Sequence, residues 1–225
     1  MKIGSQNIQK LYSGSQEIVK AYLGRDVIYE NTPPTPPGPS GNGVYILYTD
    51  GSVSAYDTLV SGKTPVGPLL ITNNVSLVIH PSAGYSKQWS SDTSTVISGV
   101  TTTPDGNIAK ADYAGAANTA AVIASGLAGS AFTFATTDCV YADGRTGYLP
   151  SYGEMEEIRL NETNINTALG LIGGTALVFS SQSYWSSTQR NKVKAWCWYS
   201  DSSGWFSYIK DNNYYCRSVS TYSVG

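Results

Sequence analysis

Neither a helix nor an interior strand can pass through Asn31-Thr32-Pro33-Pro34-Thr35-Pro36-Pro37-Gly38-Pro39-Ser40-Gly41. Each proline fixes φ and removes a backbone donor, so the run is stiff and extended. It divides the 225 residues into a segment 1–30, a linker 31–42 and a domain 43–225. The same prolines read otherwise as a ligand for a proline-binding module.

The first segment carries a ten-residue repeat. Gly4-Ser5-Gln6-Asn7-Ile8-Gln9-Lys10-Leu11-Tyr12 is echoed by Gly14-Ser15-Gln16-Glu17-Ile18-Val19-Lys20-Ala21-Tyr22 and by Gly24-Arg25-Asp26-Val27-Ile28-Tyr29. Ile8, Lys10 and Tyr12 are spaced by two and share a strand face, while the leading glycines mark hairpin turns. The expectation is a small N-terminal β-meander. A sheet of that size is marginal alone, which assigns residues 1–30 to attachment, to a larger assembly or to sister subunits.

Charged residues make up 13% of the chain and the formal net charge is -2. No basic stripe is present, which argues against nucleic acid as a partner. No run approaches ~18 apolar residues, so membrane insertion is not expected. Tyr contributes 17 residues and Gly 23, against 4 Phe and one His, the residue choice of adaptable binding surfaces. Cys139, Cys197 and Cys216 are odd in number and lack CxxC spacing, which favours neither a disulfide framework nor a zinc site. Residues 1–6 lack the apolar core of a Sec leader. The expectation is a protein that stays where it is made or leaves inside an assembled particle.

In the domain, Val44-Tyr45-Ile46-Leu47-Tyr48 and Ser52-Val53-Ser54-Ala55-Tyr56 flank Asp50-Gly51 as a hairpin. Leu69–Ile71 and Val75–Ile79 predict further strands. Asn118–Ala124 predicts a helix ending near Gly126. Ser151 and Glu154 form a capping box ahead of Met155, Ile158 and Leu160, starting a second helix, and Asn164–Leu171 a third, stopped by Gly173-Gly174. From Leu177 onward the pattern is strand and loop.

No catalytic constellation stands out. His80 precedes Pro81 at the end of an apolar strand, and no Cys-His pairing, G-x-S-x-G elbow or P-loop is present. Glu154, Glu156 and Glu157 lie where carboxylates favour a helix dipole. The expectation is a non-enzyme without cofactor or metal.

Three segments resemble one family. Tyr148-Leu149-Pro150-Ser151 with Gly153-Glu154-Met155, then Tyr184-Trp185-Ser186-Ser187-Thr188-Gln189, then Ala195-Trp196 with Tyr215-Cys216-Arg217-Ser218-Val219 resemble motifs of bacterial and phage C-type lectin domains, in the branch related to formylglycine-generating enzymes. The resemblance spans roughly 43 to 225. Cys216 stands where that family has Val, and Ser218 where it has Pro. It implies an α+β, C-type lectin-like domain behind the meander. Asp138, Asp143, Glu154 and Asp201 are the candidate calcium ligands, but the family's Glu-Pro-Asn calcium motif is absent. An oxidase of the formylglycine type would need Cys197 and Cys216 adjacent.

Residues 190–213 further resemble the variable region of diversity-generating retroelement target proteins, many of which are phage tail receptor-binding proteins. There the randomised codons have the form NNY, which makes Trp, Lys, Gln, Glu and Met unreachable. Under that resemblance Trp196, Trp198, Trp205, Lys192, Lys194 and Lys210 are fixed. Cys197, Tyr199, Asp201, Ser203, Phe206, Ser207, Tyr208, Ile209, Asp211, Asn212 and Asn213 are free to vary, as are Arg190 and Val193. Strand alternation gives a physical sort: Trp196 and Trp198 share one face of Ala195-Trp196-Cys197-Trp198-Tyr199, and Cys197 and Tyr199 the other. Large tryptophans belong inside, which leaves Cys197 and Tyr199 outward.

The sequence thus predicts a non-enzymatic protein that recognises a cell-surface protein or glycan through the eleven residues between Cys197 and Asn213. The setting it points to is a phage virion tail, attached through residues 1–30 with a homotrimer among the assemblies. A fixed-sequence bacterial surface adhesin or carbohydrate-binding module is the alternative.

Overall fold

The computed structural model describes residues 38–199 and 204–223, together with the backbone of six short strands before the linker. The chain divides into Met1–Pro36 and Pro37–Gly225, at a point inside the proline run.

In the first unit, β1 (Lys2–Ile3) pairs with β2 (Gln6–Asn7), β3 (Tyr12–Ser13) with β4 (Gln16–Glu17), and β5 (Lys20–Leu23) with β6 (Asp26–Glu30), all antiparallel. Each pair flanks one of the repeat's Gly-led dipeptides. Among the described residues these strands pair as three two-stranded sheets and not as one continuous meander. Residues 8–11, which carry most of the Ile8-Lys10-Tyr12 alternation, lie outside the described residues.

The second unit is built on one eight-stranded sheet. Its strands are β7 (Gly43–Tyr48), β8 (Val53–Ala55), β9 (Pro65–Ile71), β10 (Ser76–Gln88), β11 (Tyr184–Gln189), β12 (Lys194–Tyr199), β13 (Gly204–Ile209) and β14 (Asn213–Thr221), in the spatial order β13-β12-β11-β14-β10-β9-β7-β8. Among the described strands only β11 and β14 pair in parallel, the hairpin β12–β13 lying between them in sequence. Gly51, at φ 82, makes the turn between β7 and β8 that Asp50-Gly51 signals.

The helices are short: α1 (Gly106–Lys110), α2 (Gly115–Ala124), α3 (Ser130–Thr133), which runs into a π turn at Phe134–Asp138, α4 (Tyr152–Leu160) and α5 (Glu162–Leu171). Ser151 caps α4 through the expected box, Glu154 accepting from the Ser151 N–H at 2.8 Å.

This corrects the α+β, C-type lectin-like expectation. Helices α2, α4 and α5 were legible, but they cover a sheet rather than share the fold with it. The architecture is mostly β, and β9, β10 and the hairpin β7–β8 extend the C-terminal strands into one layer. Both faces of that layer are buried over its central strands. Val44, Leu70, Leu77, Ile79 and Val219 pack with Met155, Ile158, Ile165 and Leu169 of α4 and α5. Trp185, Ala195, Cys197 and Cys216 pack with Val122, Phe132 and Phe134 on the opposite side. Every residue of β11 is buried, so its polar members need partners inside the protein.

Two polar hubs organise the interior, and the first of them partners β11. Asp112 accepts from Thr188 Oγ1 at 2.6 Å, Asn118 Nδ2 at 2.9 Å, Thr101 Oγ1 at 3.1 Å and the Ala114 N–H at 2.9 Å. Its carbonyl accepts from Ser151 Oγ at 2.7 Å and the Gly153 N–H at 2.9 Å. Asp112 therefore ties the start of α4 to β11. At the second hub, Pro81 interrupts β10 within a register shift between Ile79 and Ala83, as a proline in a strand requires. The fully buried Arg217 guanidinium donates to the freed carbonyls of His80 and Pro81, at 3.1 and 2.9 Å, and to Thr175 at 2.8 Å. Close approach explains Gly84: a Cβ there would meet Cys216 Sγ at 2.5 Å and the Phe134 ring at 2.8 Å.

Candidate ligand-binding site

The region singled out by sequence is the hairpin β12–β13, which ends the sheet. Its register pairs Trp198 with Trp205, Cys197 with Phe206, Trp196 with Ser207 and Ala195 with Tyr208. Cross-strand partners share a face, so Trp196, Trp198, Trp205, Ser207 and Ile209 point one way and Cys197, Tyr199, Phe206 and Tyr208 the other.

Cys197 does not reach a surface. It is fully buried, in the cluster that holds Trp89, Trp185 and Phe132, because the α3 side of the sheet is covered this far out. This corrects its placement on an outward face. Beyond it the face opens. Tyr199, Phe206, Tyr208 and, from β14, Tyr214 form an aromatic patch, with centroids 4.7 Å apart for Tyr199–Tyr208, 5.6 Å for Tyr208–Tyr214 and 6.1 Å for Tyr199–Phe206. Phe206 is 44% exposed, and Asp211 and Asn213 continue the exposed line at the next turn, with Asn212 half-buried between them.

Ser207 and Ile209 belong to the opposite face. Ser207 Oγ accepts from Arg190 Nη1 at 2.9 Å, and Ile209 is exposed. Asp201 and Ser203 lie outside the described residues. Tyr214 was missed because its neighbourhood with Tyr208 depends on strand order, which no local pattern encodes.

The tryptophan face holds a cleft of about 470 Å³ that the sequence did not announce. It opens between α1, the first turns of α4 and the hairpin, and is lined by Asp105, Lys110, Tyr152, Glu156, Arg159 and Trp205 among others. Tyr152 stacks on Trp205 at 3.8 Å and 20°, and meets Trp196 edge-on at 5.5 Å. Trp205 Nε1 donates to Glu156 Oε2 at 2.8 Å, and Arg159 donates to both oxygens of Glu156, at 2.8 and 3.0 Å. The Arg159 guanidinium lies over Trp198 at 4.8 Å. Burial pushes the Glu156 carboxyl up, but the bonds from Arg159 and Trp205, helped by the charges of Arg159 and Lys110, leave it below its ordinary range. The sequence signal was only Glu156 and Arg159 at i,i+3; that they face Trp205 required the fold.

Groups with chemical potential elsewhere are committed to the interior. His80 is buried, its Nδ1 accepting from the Ser82 N–H and its Nε2 donating to the Val140 carbonyl, and burial lowers its pKa. All three cysteines are free and buried. Cys197 and Cys216 stand on β12 and β14 with β11 and its Trp185 between them, about two strand spacings or ~9.6 Å, beyond disulfide reach. Among the described residues no three His, Cys, Asp or Glu side chains gather as a metal site, and no helix is long and apolar enough to cross a membrane.

No family model matches the chain, and no curated protein does. A solved structure of a fimbrial protein from Bacteroides ovatus matches with a TM-score of 0.56 at 16% identity, covering 78% of this chain. The match spans 48% of that protein, so this chain corresponds to about half its length. The shared fold is that of a fimbrial protein, and it replaces the C-type lectin-like expectation.

Proposed function

We propose that the chain is a bacterial cell-surface binding protein of adhesin type, with the end of the β12–β13 hairpin as its contact surface. The observation that carries this reading is the half-exposed aromatic patch of Tyr199, Phe206, Tyr208 and Tyr214 at the edge of a sheet buried on both faces. Rigid aromatic area on a stiff support, with Asp211 and Asn213 beside it, is what recognition of another surface requires. The fold shared with a fimbrial protein supports a surface location, and residues 1–30 supply attachment to an assembly or to sister subunits. The test is binding of the purified, fluorescently labelled chain to host or bacterial cells. Phe206→Ala with Tyr208→Ala is expected to reduce retention at least about tenfold. Equal retention by wild type and variant defeats the reading.

A second reading, retroelement diversification of a phage tail protein, is favoured by one observation. Among residues an NNY codon cannot encode, Trp196, Trp198 and Lys210 are buried, whereas Phe206, Ile209, Asp211 and Asn213, which it can encode, are exposed; Lys192, exposed, and Cys197, buried, depart from this sort. Gene sequencing tests it. NNY codons at 206–209 and 211–213, with a near-repeat downstream, are expected; their absence ends it.

A further inference from the structure

We infer that the cleft between α1, α4 and β13 is a calcium-independent binding site for a neutral oligosaccharide; this rests on the surface-recognition reading above and adds a second site to it. Four observations converge. The floor is aromatic: Trp205 is half-buried, stacked on Tyr152 and braced edge-on by Trp198 at 5.9 Å. An indole held this rigidly offers apolar area to the C–H face of a sugar ring at little entropic cost.

The walls alternate donors and acceptors without net charge, Lys110 and Arg159 balancing Asp105 and Glu156. Glu156 and Arg159 satisfy and orient each other, so neither is left as an unpaired charge to recruit a phosphate or carboxylate. They remain fixed partners for hydroxyl groups, which both donate and accept. The volume, about 470 Å³, falls in the roughly 300–1,000 Å³ range of small-ligand sites. Finally, Asp105, Asn107 and Lys110 are exposed at the rim, where a longer chain would leave the cleft. No metal enters the scheme, since the polar groups present already complement hydroxyls.

The experiment uses the full chain on a printed array of neutral and acidic oligosaccharides, washed in EDTA, with hits titrated by tryptophan fluorescence. The expected result is retention of neutral oligosaccharides, a change in emission on binding, and at least about a tenfold loss of affinity in Trp205→Ala. The Asn107→Ala/Lys110→Ala double variant, whose side chains are exposed, is expected to weaken the same hits with an unchanged melting temperature, and it decides the matter if Trp205→Ala does not fold. Val140→Ala, 78% exposed and outside the cleft lining, is expected to bind as wild type. A blank array, retention of acidic glycans only, binding of a proline-rich peptide instead, or hits untouched by the cleft variants each overturns the inference. If cells are still bound while the array is blank, only the cleft assignment fails; if neither binds, the surface-recognition reading fails with it.

Discussion

Trp205 donates its indole N–H to Glu156 Oε2 at 2.8 Å, joining the edge strand β13 to helix α4. Through Arg159, which donates to both oxygens of the same carboxylate and lies over Trp198, the network extends to the next strand. The outermost strand of the sheet is thus fastened by a side-chain network as well as by its ladder. That matters because an edge strand has ladder bonds on one side only.

Replacing Glu156 by Ala removes this fastening. A part-buried hydrogen bond to a charged group contributes roughly 1.5–3 kcal/mol, so Glu156→Ala is expected to lower unfolding free energy by about 2 kcal/mol in urea titrations. The hairpin's amide hydrogens should also exchange faster than those of β9. Unchanged exchange at 204–209 would show that the ladder alone holds the edge.

Asp112 has the larger role in stability. Its side chain accepts four hydrogen bonds and is buried, so Asp112→Ala leaves Thr188, Asn118 and Thr101 seeking partners inside the protein. Loss of about 3–5 kcal/mol is expected, read as a lower denaturation midpoint with an unchanged slope. Asp112→Asn should recover part of it, because Oδ1 still accepts.

Glu154 predicts a pH dependence. Burial is the main cause that raises its pKa from 4.5 to about 7, against the lowering effect of the Ser151 and Tyr148 hydrogen bonds. The folded state therefore holds a proton that the unfolded chain releases at lower pH. The stability this gives is complete below about pH 4.5, is lost as pH rises toward 7, and stays at the lower level above. The change is of the order of 3 kcal/mol. Midpoints measured from pH 4.5 to 8 should fall for wild type, and the difference from Glu154→Gln, which cannot ionise, should close at low pH and widen at high pH. A constant difference across that range would contradict the assignment.

The three thiols should be silent in the native protein. Burial pushes Cys139 up to about 12 and Cys197 and Cys216 higher still, so thiolate is scarce at neutral pH. Iodoacetamide at pH 8, followed by intact-mass measurement, is expected to add no label to the folded chain and three to the chain in guanidinium. Native labelling of Cys197 would mean that the hairpin opens from the sheet.

Local chemistry was legible where it is written within a few residues. The Asp50-Gly51 turn, the Ser151–Glu154 box and the alternation that separates Trp196 and Trp198 from Cys197 all recur in the structure, because caps, turns and strand faces depend on neighbours in sequence. The α+β expectation rests on the C-type lectin resemblance, and the eight-stranded sheet overturns it. Short helices with clear caps are conspicuous in a sequence, whereas β10, broken by Pro81 and repaired by Arg217 from β14, shows no continuous alternation over its 13 residues.

By itself, then, the sequence determined the division at the proline run, the local elements and the tryptophan-rich hairpin as the place to look. The tertiary structure alone decided that Cys197 is interior, that Tyr214 joins the aromatic patch, and that Trp205 bonds Glu156 in the lining of a cleft. The reason is physical. Each of those facts depends on which strand lies beside which and on what covers each face, and these are set by contacts between residues tens of positions apart, summed over the whole core, rather than by any spacing within one segment.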